Sequence, residues 1–261
     1  MAKSENTIRV VSYNIHKGFS VGNVRFVLES IRESIRAIDA DLVFLQEVQG
    51  EHNQKEKKIE QWPQQSQFEF LADEVWHHFA YGKNAVYDEG HHGNAILSRF
   101  PITSWENIDI SQSRYAKRGL LHAVVDIPGW ERPLHAVCSH FDLLKTDQKA
   151  QAKRLVARIE KHVPSDCRLV IGGDFNDWSQ GLSHYLEQEL SLKEVFLASR
   201  GAHARTFPAQ LPALKLDRIY FRGFDVLDAK RLHKGKWKKL SDHLAIVADL
   251  SPHSLEDSKT A

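Results

Sequence analysis

Apolar residues along this chain form short continuous runs and stripes with helical spacing. The stripe from Val24 to Ile38 repeats at spacings of three, four and seven and predicts a helix, and a second helix is predicted to start near Thr146. Further helices are predicted at Phe68–His78 and Ser183–Leu190. Eight apolar runs predict buried strands, at Ile8–Asn14, Asp41–Glu47, Asn94–Ser98, Gly119–Asp126, Leu134–His140, Arg168–Gly173, Leu216–Phe221 and Leu244–Leu250.

Some of these strands follow one another directly, and others are separated by helices. This mixture favours mixed sheets covered by helices over a regular alternation of strands and helices. We therefore expect one layered α/β domain over residues 5–250, followed by a polar tail over residues 251–261. The polar stretch Val48–Gln67 is predicted to be a long exposed loop.

The composition excludes several classes of protein. With 261 residues, 42% of them hydrophobic and 26% charged, the chain can form a core and is neither collagen-like nor disordered. Its 35 basic and 34 acidic side chains give a net charge of +1, so a polyanionic partner must be bound by a local patch. Met1–Val11 lacks the apolar run of a signal peptide, and no transmembrane segment is visible. We expect a cytoplasmic monomer.

Polar side chains stand at the carboxyl ends of the predicted strands, and one acid lies within a strand. They are Asn14, Glu47, His140, Asp174, Asn176, Asp217, Asp242 and His243. An ionised carboxylate at the edge of a buried sheet is unfavourable unless a metal, a cation or hydrogen bonds compensate its charge. Converging strand ends form a crevice in which α/β proteins bind ligands. An oxygen-rich set without thiolates suits Mg²⁺ or Mn²⁺ better than Zn²⁺.

Six short motifs around these residues carry a family resemblance. They are Ser12–Ile15, Leu45–Glu47, Ser139–His140, Gly173–Asn176, Leu216–Ile219 and Ser241–His243. Together they resemble the ordered motif set of the endonuclease/exonuclease/phosphatase superfamily, which includes DNase I-like nucleases, neutral sphingomyelinases and inositol polyphosphate 5-phosphatases. Ile15–Gly18 and Glu89–Asn94 are similar to a bacterial branch of uncharacterised members. The resemblance implies a DNase I-like four-layer α/β sandwich, in which helices flank two mixed β-sheets and the site lies at one end.

The resemblance also implies a metal site. Glu47 is then the main ligand of a divalent cation, and Asn14 and Asp242 assist it directly or through water. The cation would polarise a phosphoryl oxygen and offset the charge that develops in the transition state.

The remaining motif residues receive roles at the phosphate. Asp174 would orient or deprotonate the attacking water, and Asn176 would hold the phosphate through its amide. His243 would lie at the scissile phosphate, with Asp217 hydrogen-bonded to it, and His140 would stabilise the phosphate or protonate the leaving group. Which of Asp174 and His243 accepts the proton of the water stays open, because the sequence gives neither distances nor pKa values.

Polar residues between the motifs are candidates for substrate binding. They are His92, Asn94, Arg114, Arg118, Lys236 and Lys238. The two lysines belong to a basic segment around Trp237, and such a composition is typical of contacts with a phosphate backbone or an anionic lipid. For the charged members of this set the plainer interpretation is a solvated surface.

These observations predict a divalent-metal-dependent phosphodiesterase or nuclease in which water attacks the phosphate directly, acting on DNA or another nucleic acid. One alternative is a phospholipid or inositol-phosphate hydrolase, with Trp62, Trp130 and Trp237 as contacts to a lipid interface. The other is a non-catalytic binding module, which would require the loss of a catalytic residue, and every expected one is present. Endo- versus exonucleolytic action and diester versus monoester specificity stay open.

Overall fold

The computed structural model of the chain describes residues 7–52, 57–87, 90–113 and 116–253. Its strands form two six-stranded sheets. The first contains β1 (Ile8–Asn14), β2 (Leu42–His52), β3 (His78–Tyr87), β4 (Gly90–Ser98), β11 (Phe224–Arg231) and β12 (Ile246–Pro252). The second contains β5 (Ile102–Asp109), β6 (Gly119–Val125), β7 (Leu134–His140), β8 (Leu169–Asp174), β9 (Lys193–Glu194) and β10 (Asp217–Arg222).

Helices cover the outer faces of both sheets. They are α1 (Leu28–Arg36), α2 (Gln67–Ala72), α3 (Lys145–His162), α4 (Gly181–Leu190) and α6 (Trp237–Leu240), whereas the short helix α5 (Val195–Arg200) packs against the apolar cluster between the sheets. Two short 3₁₀ turns follow β1, at His16–Gly18 and Val21–Asn23. None of the helices in the described part of the chain is long and apolar enough to cross a membrane.

The strand order of each sheet brings several strand ends to one edge. The first sheet has the order β11-β12-β1-β2-β4-β3, and the second has the order β5-β6-β7-β8-β10-β9. Within them, β1 and β2 are parallel, as are β7 and β8, and the other neighbours are antiparallel. The carboxyl ends of both parallel pairs therefore lie at the same end of the molecule as the first residue of β10.

Alternate residues of the strands pack into different layers of the core. Val10 and Phe44 lie between the two sheets, whereas their neighbours Val11 and Val43 pack under α1 and α2. A third apolar cluster joins the second sheet to α3 and α4. Because both faces of each sheet are covered, the strands read as continuous apolar runs rather than as an alternation. Two sheets between two layers of helices confirm the predicted four-layer sandwich.

The two sheets approach each other closely at Gly172 of β8. A Cβ atom at this position would lie 2.6 Å from Cγ of Phe44 on the facing sheet. Glycine is therefore required here by the sheet-to-sheet spacing rather than by its backbone conformation.

The segment Val48–His52 corrects one prediction. It continues β2 and pairs with β4, where a loop was expected. The backbone N–H of Gln49 donates to Oε1 of buried Gln67 at 2.9 Å, so this polar stretch is satisfied inside the fold. Polar composition alone does not distinguish side chains that bond the backbone from those that are hydrated. Residues 53–56 of the predicted loop lie outside the described residues.

Other element boundaries also differ from the prediction. The helix expected from Val24 begins at Leu28. The helix expected over Phe68–His78 ends at Ala72, because Asp73 adopts a φ of 41° that a helix cannot continue. Near one edge of the first sheet, β12 extends to Pro252 and so enters the expected tail.

Candidate active site

The register of the second sheet places three of the predicted catalytic residues side by side. His140 at the end of β7 is the direct partner of Asp174 in β8, and Asp174 is the direct partner of Asp217 in β10. Directly opposite residues on neighbouring strands have Cβ atoms about 5 Å apart. The strand pairing alone therefore brings the three side chains into one row.

The first sheet contributes Asn14 and Glu47. Asn14 ends β1 opposite Gln46, and the pairing of β2 with β4 is irregular between Leu45 and Val48. Glu47 lies within this irregularity and has a φ of 56°. A bulge of this kind re-aims a side chain, which is why bulges occur next to active sites. Here it leaves the Glu47 carboxylate 23% exposed in the cleft although both neighbouring residues are buried.

Asn14 ties the two halves of the site together. Its Nδ2 donates to Oδ2 of Asp174 at 3.1 Å and to Oε1 of Glu47 at 3.3 Å. Its Oδ1 accepts a hydrogen bond from the backbone N–H of His16 at 3.1 Å. Both ends of the amide are occupied, so the position of this side chain is fixed.

A histidine between two carboxylates forms the centre of the site. Nδ1 of His243 donates to Oδ2 of Asp217 at 2.9 Å, and its Nε2 lies 3.6 Å from Oδ2 of Asp174. Phe207 packs on the imidazole with ring centroids 4.9 Å apart. On the other side of Asp174, Nε2 of His140 is 3.6 Å from the same oxygen. Asp174 is thus flanked by two imidazoles.

Burial and charge separate the protonation states of these groups. Burial raises the pKa of Asp174 from 3.8 to about 6, against the lowering effect of His243. Burial opposes the charge of His243, but the carboxylates of Asp217 and Asp174 outweigh it and raise the pKa of His243 from 6.5 to about 10. Burial, reinforced by the charge of Arg118, lowers the pKa of His140 well below its ordinary value. At neutral pH His243 is therefore an imidazolium and His140 a neutral imidazole.

These side chains open into a cleft of about 390 Å³. Two kinds of residue line it besides the central acids and histidines. The cationic or polar ones come from the side of β2, β4 and β6, and the apolar ones come from the loops after β7 and β8 and from the segment before β10. The full lining consists of Lys17, Glu47, His92, Arg118, His140, Leu143, Asp174, Asn176, Trp178, Phe207, Leu214, Leu216 and His243.

Of the predicted metal ligands, Glu47 fits a hard divalent cation best. Its carboxylate faces the cleft and has only Asn14 Nδ2 and, at 3.6 Å, Lys17 Nζ as contacts given by the structure. Oδ2 of Asp242 lies 2.7 Å from Nδ1 of His16, so this carboxylate is already paired. The oxygen-rich donor set agrees with Mg²⁺ or Mn²⁺.

A second group of ligand-type atoms lies deeper in the site. Asp174, Asp217 and His243 bring their atoms within 4.8 Å of one another. Within this group, Nδ1 of His243 is already hydrogen-bonded to Asp217 at 2.9 Å. The arrangement of two carboxylates around an imidazole also suits proton transfer.

Comparison with known proteins shows the family of the chain. A sequence model described as the Endonuclease/Exonuclease/phosphatase family matches residues 11–243. The chain belongs to this family. It is 42% identical over 244 residues to a protein of Escherichia coli K12 called "Uncharacterized protein YbhP", a match that covers 94% of this chain and 96% of that protein.

Solved structures of endonuclease/exonuclease/phosphatase proteins share the fold. The structure from Beutenbergia cavernae has a TM-score of 0.77 and 22% identity, and the match covers 95% of this chain and 72% of that one. The structure of TDP2 from D. rerio complexed with single strand DNA product has a TM-score of 0.70 and 19% identity, covering 94% of this chain and 99% of that one. These similarities confirm the DNase I-like architecture.

In this family member, most of the residues proposed from the motifs meet at the end of the sandwich. They are Asn14, Glu47, His140, Asp174, Asn176, Asp217 and His243. Asn176 has a φ of 49°, and its Nδ2 donates to the backbone oxygen of Phe141 at 2.9 Å. One of its two amide hydrogens is therefore used within the protein, which leaves the other for a ligand.

The proposed substrate-binding residues divide into two groups. His92 and Arg118 line the cleft, and the Arg118 guanidinium is oriented by the carbonyl of Phe141 (3.2 Å) and the carboxylate of Asp142 (3.3 Å). Asn94 does not line it, which corrects the expectation of a substrate contact. Arg114 lies outside the described residues.

Asn94 has a structural position between the sheets. Its side chain is fully buried, and Nδ2 donates to the carbonyls of Gly119 at 3.0 Å and Cys138 at 3.4 Å on the second sheet. The sequence placed Asn94 at the start of a predicted strand, two residues after His92. Both residues belong to β4, in which His92 is half-buried and Asn94 is fully buried.

Lys236 and Lys238 are not among the residues that line the cleft. Lys236 lines a different cavity, between α1 and the edge strands of the first sheet, and its Nζ is 3.9 Å from Glu33. Closeness in sequence to Asp242 therefore does not place these lysines in the cleft. Their expected contact with a phosphate backbone or an anionic lipid stays a prediction.

Among the residues near the reacting groups, His16, Lys17 and Trp178 were missed by the sequence reasoning. A signal existed for His16 and Lys17, since the turn that contains them follows Asn14 after a single residue and had been recognised only as a feature of the bacterial branch. Trp178 carries no local pattern that would distinguish a cleft residue from a core residue.

Proposed function

We propose that this chain is a divalent-metal-dependent phosphoesterase that hydrolyses phosphodiester bonds of nucleic acid by direct attack of water. The observation that carries this proposal is the charge arrangement around Asp174. A buried carboxylate whose pKa is about 6 stands beside an imidazolium, and Glu47 faces the same cleft. A base with a pKa near neutrality next to a fixed cation is suited to activating water at an anionic phosphate.

Asp174 acts as the general base in this proposal. It is ionised above pH 6, whereas His243 already holds its proton and cannot accept another. Asn14 and the backbone N–H of Asn176 hold the two carboxylate oxygens of Asp174 at 3.1 and 3.0 Å. The attacking water would lie beside this oriented carboxylate.

His243 and Asn176 bind the scissile phosphate. The imidazolium donates from Nε2 to a phosphate oxygen, and Asp217 on Nδ1 keeps the ring charged and oriented. Asn176 donates its second amide hydrogen. Glu47 would hold Mg²⁺ or Mn²⁺, and Asn14 and Asp242 would assist it in binding the ion directly or through water. The bound ion would supply Lewis-acid polarisation of the phosphate.

Nucleic acid is favoured as the substrate class by one relative of the same fold. The TDP2 structure that resembles this chain was described with a single strand DNA product. The cationic side of the cleft, formed by Lys17, His92 and Arg118, agrees with a polyanionic substrate.

A phospholipid hydrolase is the second candidate, but the residues that support it differ from the tryptophans expected from the sequence. Trp62 is 9% exposed and stacks on Phe26, Trp130 packs on Phe224, and Trp237 packs on Tyr13. Because each of these tryptophans packs on a ring of the protein itself, they no longer provide specific support for a lipid interface. A different set of exposed apolar side chains lies at or near the cleft and keeps this candidate open: Leu143, Leu144, Trp178, Leu211 and Leu214.

Nicking of supercoiled plasmid by the purified protein, with Mg²⁺ and with EDTA, tests the proposal. Asp174→Asn should reduce the rate by roughly 10²- to 10⁴-fold, the contribution of a general base. Asp225→Asn, at an exposed position on β11, is the matched control and should retain full activity. Glu47→Gln should require a higher Mg²⁺ concentration for half-maximal rate.

Two results would contradict the nuclease proposal. Nicking that survives in Asp174→Asn would show a contaminant or another base. Metal-dependent hydrolysis of sphingomyelin or phosphatidylinositol in vesicles, without any nicking, would favour the lipid candidate.

A further inference from the structure

The turn that follows β1 is built to hold one lysine at the cleft. His16, Lys17 and Gly18 have φ values of 48°, 55° and 80°. A Cβ atom on Gly18 would lie 3.0 Å from Phe26 and 3.1 Å from Gln67, so the turn has no space for a larger residue. Consecutive residues in the left-handed region are unfavourable for non-glycine side chains and persist only when the surroundings impose them.

Buried polar groups provide this constraint. Nε2 of Gln67 donates to the carbonyl of Lys17 at 2.9 Å, and the backbone N–H of Val27 donates to the carbonyl of Gly18 at 2.8 Å. Gln67 is itself fully buried and fixed by Gln49. The backbone of Lys17 is therefore held on both sides of the turn.

The side chain of Lys17 is the most loosely held cation of the cleft. Its Nζ lies 3.6 Å from Oε2 of Glu47, which is too long for a hydrogen bond, and the side chain is 36% exposed. His16, by contrast, is held by Asp242 and Asn23, at 2.7 and 2.9 Å. A divalent cation on Glu47 would offset the charge that attracts Lys17, which would leave the ammonium group available to an anion of the substrate.

The geometry of the cleft indicates where that anion lies. The scissile phosphate is assigned to the centre, at Asn176 and His243. Lys17, His92 and Arg118 lie to one side of it, next to β2, β4 and β6. The apolar part of the lining comes from the loops after β7 and β8 and from the segment before β10. The scissile phosphate already has binding partners at the centre of the cleft. The cations beside it are therefore expected to bind a second anionic group, and only on their side of the cleft.

We propose that Lys17, with His92 and Arg118, binds a second phosphate of the substrate next to the scissile one. This inference rests on the proposed function and narrows its substrate to phosphoesters that carry two neighbouring phosphates, as an oligonucleotide does. Lys17 is a substrate-binding residue of this subsite.

Binding of small phosphates to the Asp174→Asn protein in Mg²⁺ tests the subsite without turnover. Thymidine 3′,5′-bisphosphate should bind roughly 10- to 100-fold more tightly than thymidine 5′-monophosphate, as expected for hydrogen bonds to charged groups. Adding Lys17→Met should remove this preference, and Lys17→Arg should keep most of it. The same comparison of affinities is made between inositol 1,4-bisphosphate and inositol 1-phosphate. It shows whether the second phosphate comes from a nucleotide or from an inositol phosphate.

Lys161→Met is the matched control. Lys161 is exposed at the carboxyl end of α3, whereas the cleft lies near Lys145 at the amino end of this helix. It should leave the preference unchanged. An equal affinity for mono- and bisphosphate in the Asp174→Asn protein, or a preference that survives Lys17→Met, would overturn the subsite.

Turnover separates this inference from the proposed function. In the otherwise wild-type protein, Lys17→Met should lower kcat/KM for a trinucleotide, mainly through KM, by a larger factor than for bis(4-nitrophenyl) phosphate, which has one phosphate. An equal loss on both substrates would place Lys17 at the scissile phosphate or the metal and contradict the subsite. If the wild-type protein hydrolyses neither, the proposed function fails while the binding measurements still decide the role of Lys17.

Discussion

The substitution Asp217→Asn removes the charge that keeps His243 protonated. Oδ2 of Asp217 accepts from Nδ1 of His243 at 2.9 Å, and Asp174 adds a second carboxylate at 3.6 Å. The rise in the pKa of His243 from 6.5 to about 10 corresponds to about 5 kcal/mol at 1.36 kcal/mol per pH unit. Because His243 is almost completely buried, solvent screening does not reduce this value much.

The direction in which stability changes with pH follows from the difference in the pKa of His243 between the folded and the unfolded state. His243 is more basic in the folded state, so its contribution to stability is complete below pH 6.5 and is lost as the pH rises through 10. Without the charge of Asp217, the pKa of His243 falls towards its ordinary value. The variant should be less stable than the wild type by roughly 3 to 5 kcal/mol below pH 6.5, and this difference should shrink towards pH 10.

Two measurements in EDTA check this prediction. Urea unfolding between pH 6 and pH 10 gives the free energy of unfolding of both proteins, and ring ¹H–¹³C NMR spectra give the titration of His243, identified by its absence in His243→Gln. The wild-type resonance should not titrate below pH 9, whereas the variant should titrate at least one pH unit lower than the wild type. Asp225→Asn, whose carboxylate lies 3.7 Å from a different histidine, His253, should leave His243 unchanged.

A wild-type midpoint near 6.5 would refute the reasoning, because it would mean that desolvation outweighs both carboxylates. An unchanged midpoint in Asp217→Asn would also refute it, by showing that Asp217 orients the ring without determining its charge.

Two further predictions concern the base and the core. Because burial raises the pKa of Asp174 to about 6 and the ionised form is the base, kcat/KM should fall about tenfold per pH unit below pH 6, and an acidic limb near 4 in the pH–rate profile would contradict this. Gly172→Ala should destabilise the fold by about 1 to 3 kcal/mol in urea unfolding, since its Cβ would meet the Phe44 ring at 2.6 Å. Gly181→Ala, where the nearest atom is 3.9 Å away at the start of α4, is the control and should be neutral or slightly stabilising; similar losses in both variants would argue against the clash.

Local patterns predicted mixed sheets covered by helices, and the family resemblance predicted the four-layer sandwich. The strands Ile8–Asn14 and Leu134–His140 have the predicted bounds, and residues at their carboxyl ends belong to the site. This succeeded because burial on both faces of a sheet produces a continuous apolar run, and the point at which such a run becomes polar is visible in the sequence. The expected His243–Asp217 partnership was likewise found, with a hydrogen bond of 2.9 Å.

Local patterns failed where polar residues are used inside the fold. Asn94 resembled a substrate contact and instead joins the two sheets, and Val48–His52 resembled a loop and instead extends β2. Trp237, expected at an interface, packs on Tyr13. In each case the sequence shows the chemical type of a side chain but not the partner that satisfies it.

The sequence by itself determined the residue types of the site and the strand ends that carry them. Only the tertiary structure decided the pairing of Asp242 with His16, the position of Lys17 beside Glu47, and the raised pKa values of Asp174 and His243. The physical reason is distance along the chain. Asn14 and Asp174 are 160 residues apart and yet share a hydrogen bond, and both pKa values depend on burial and charges that reach the site from other strands.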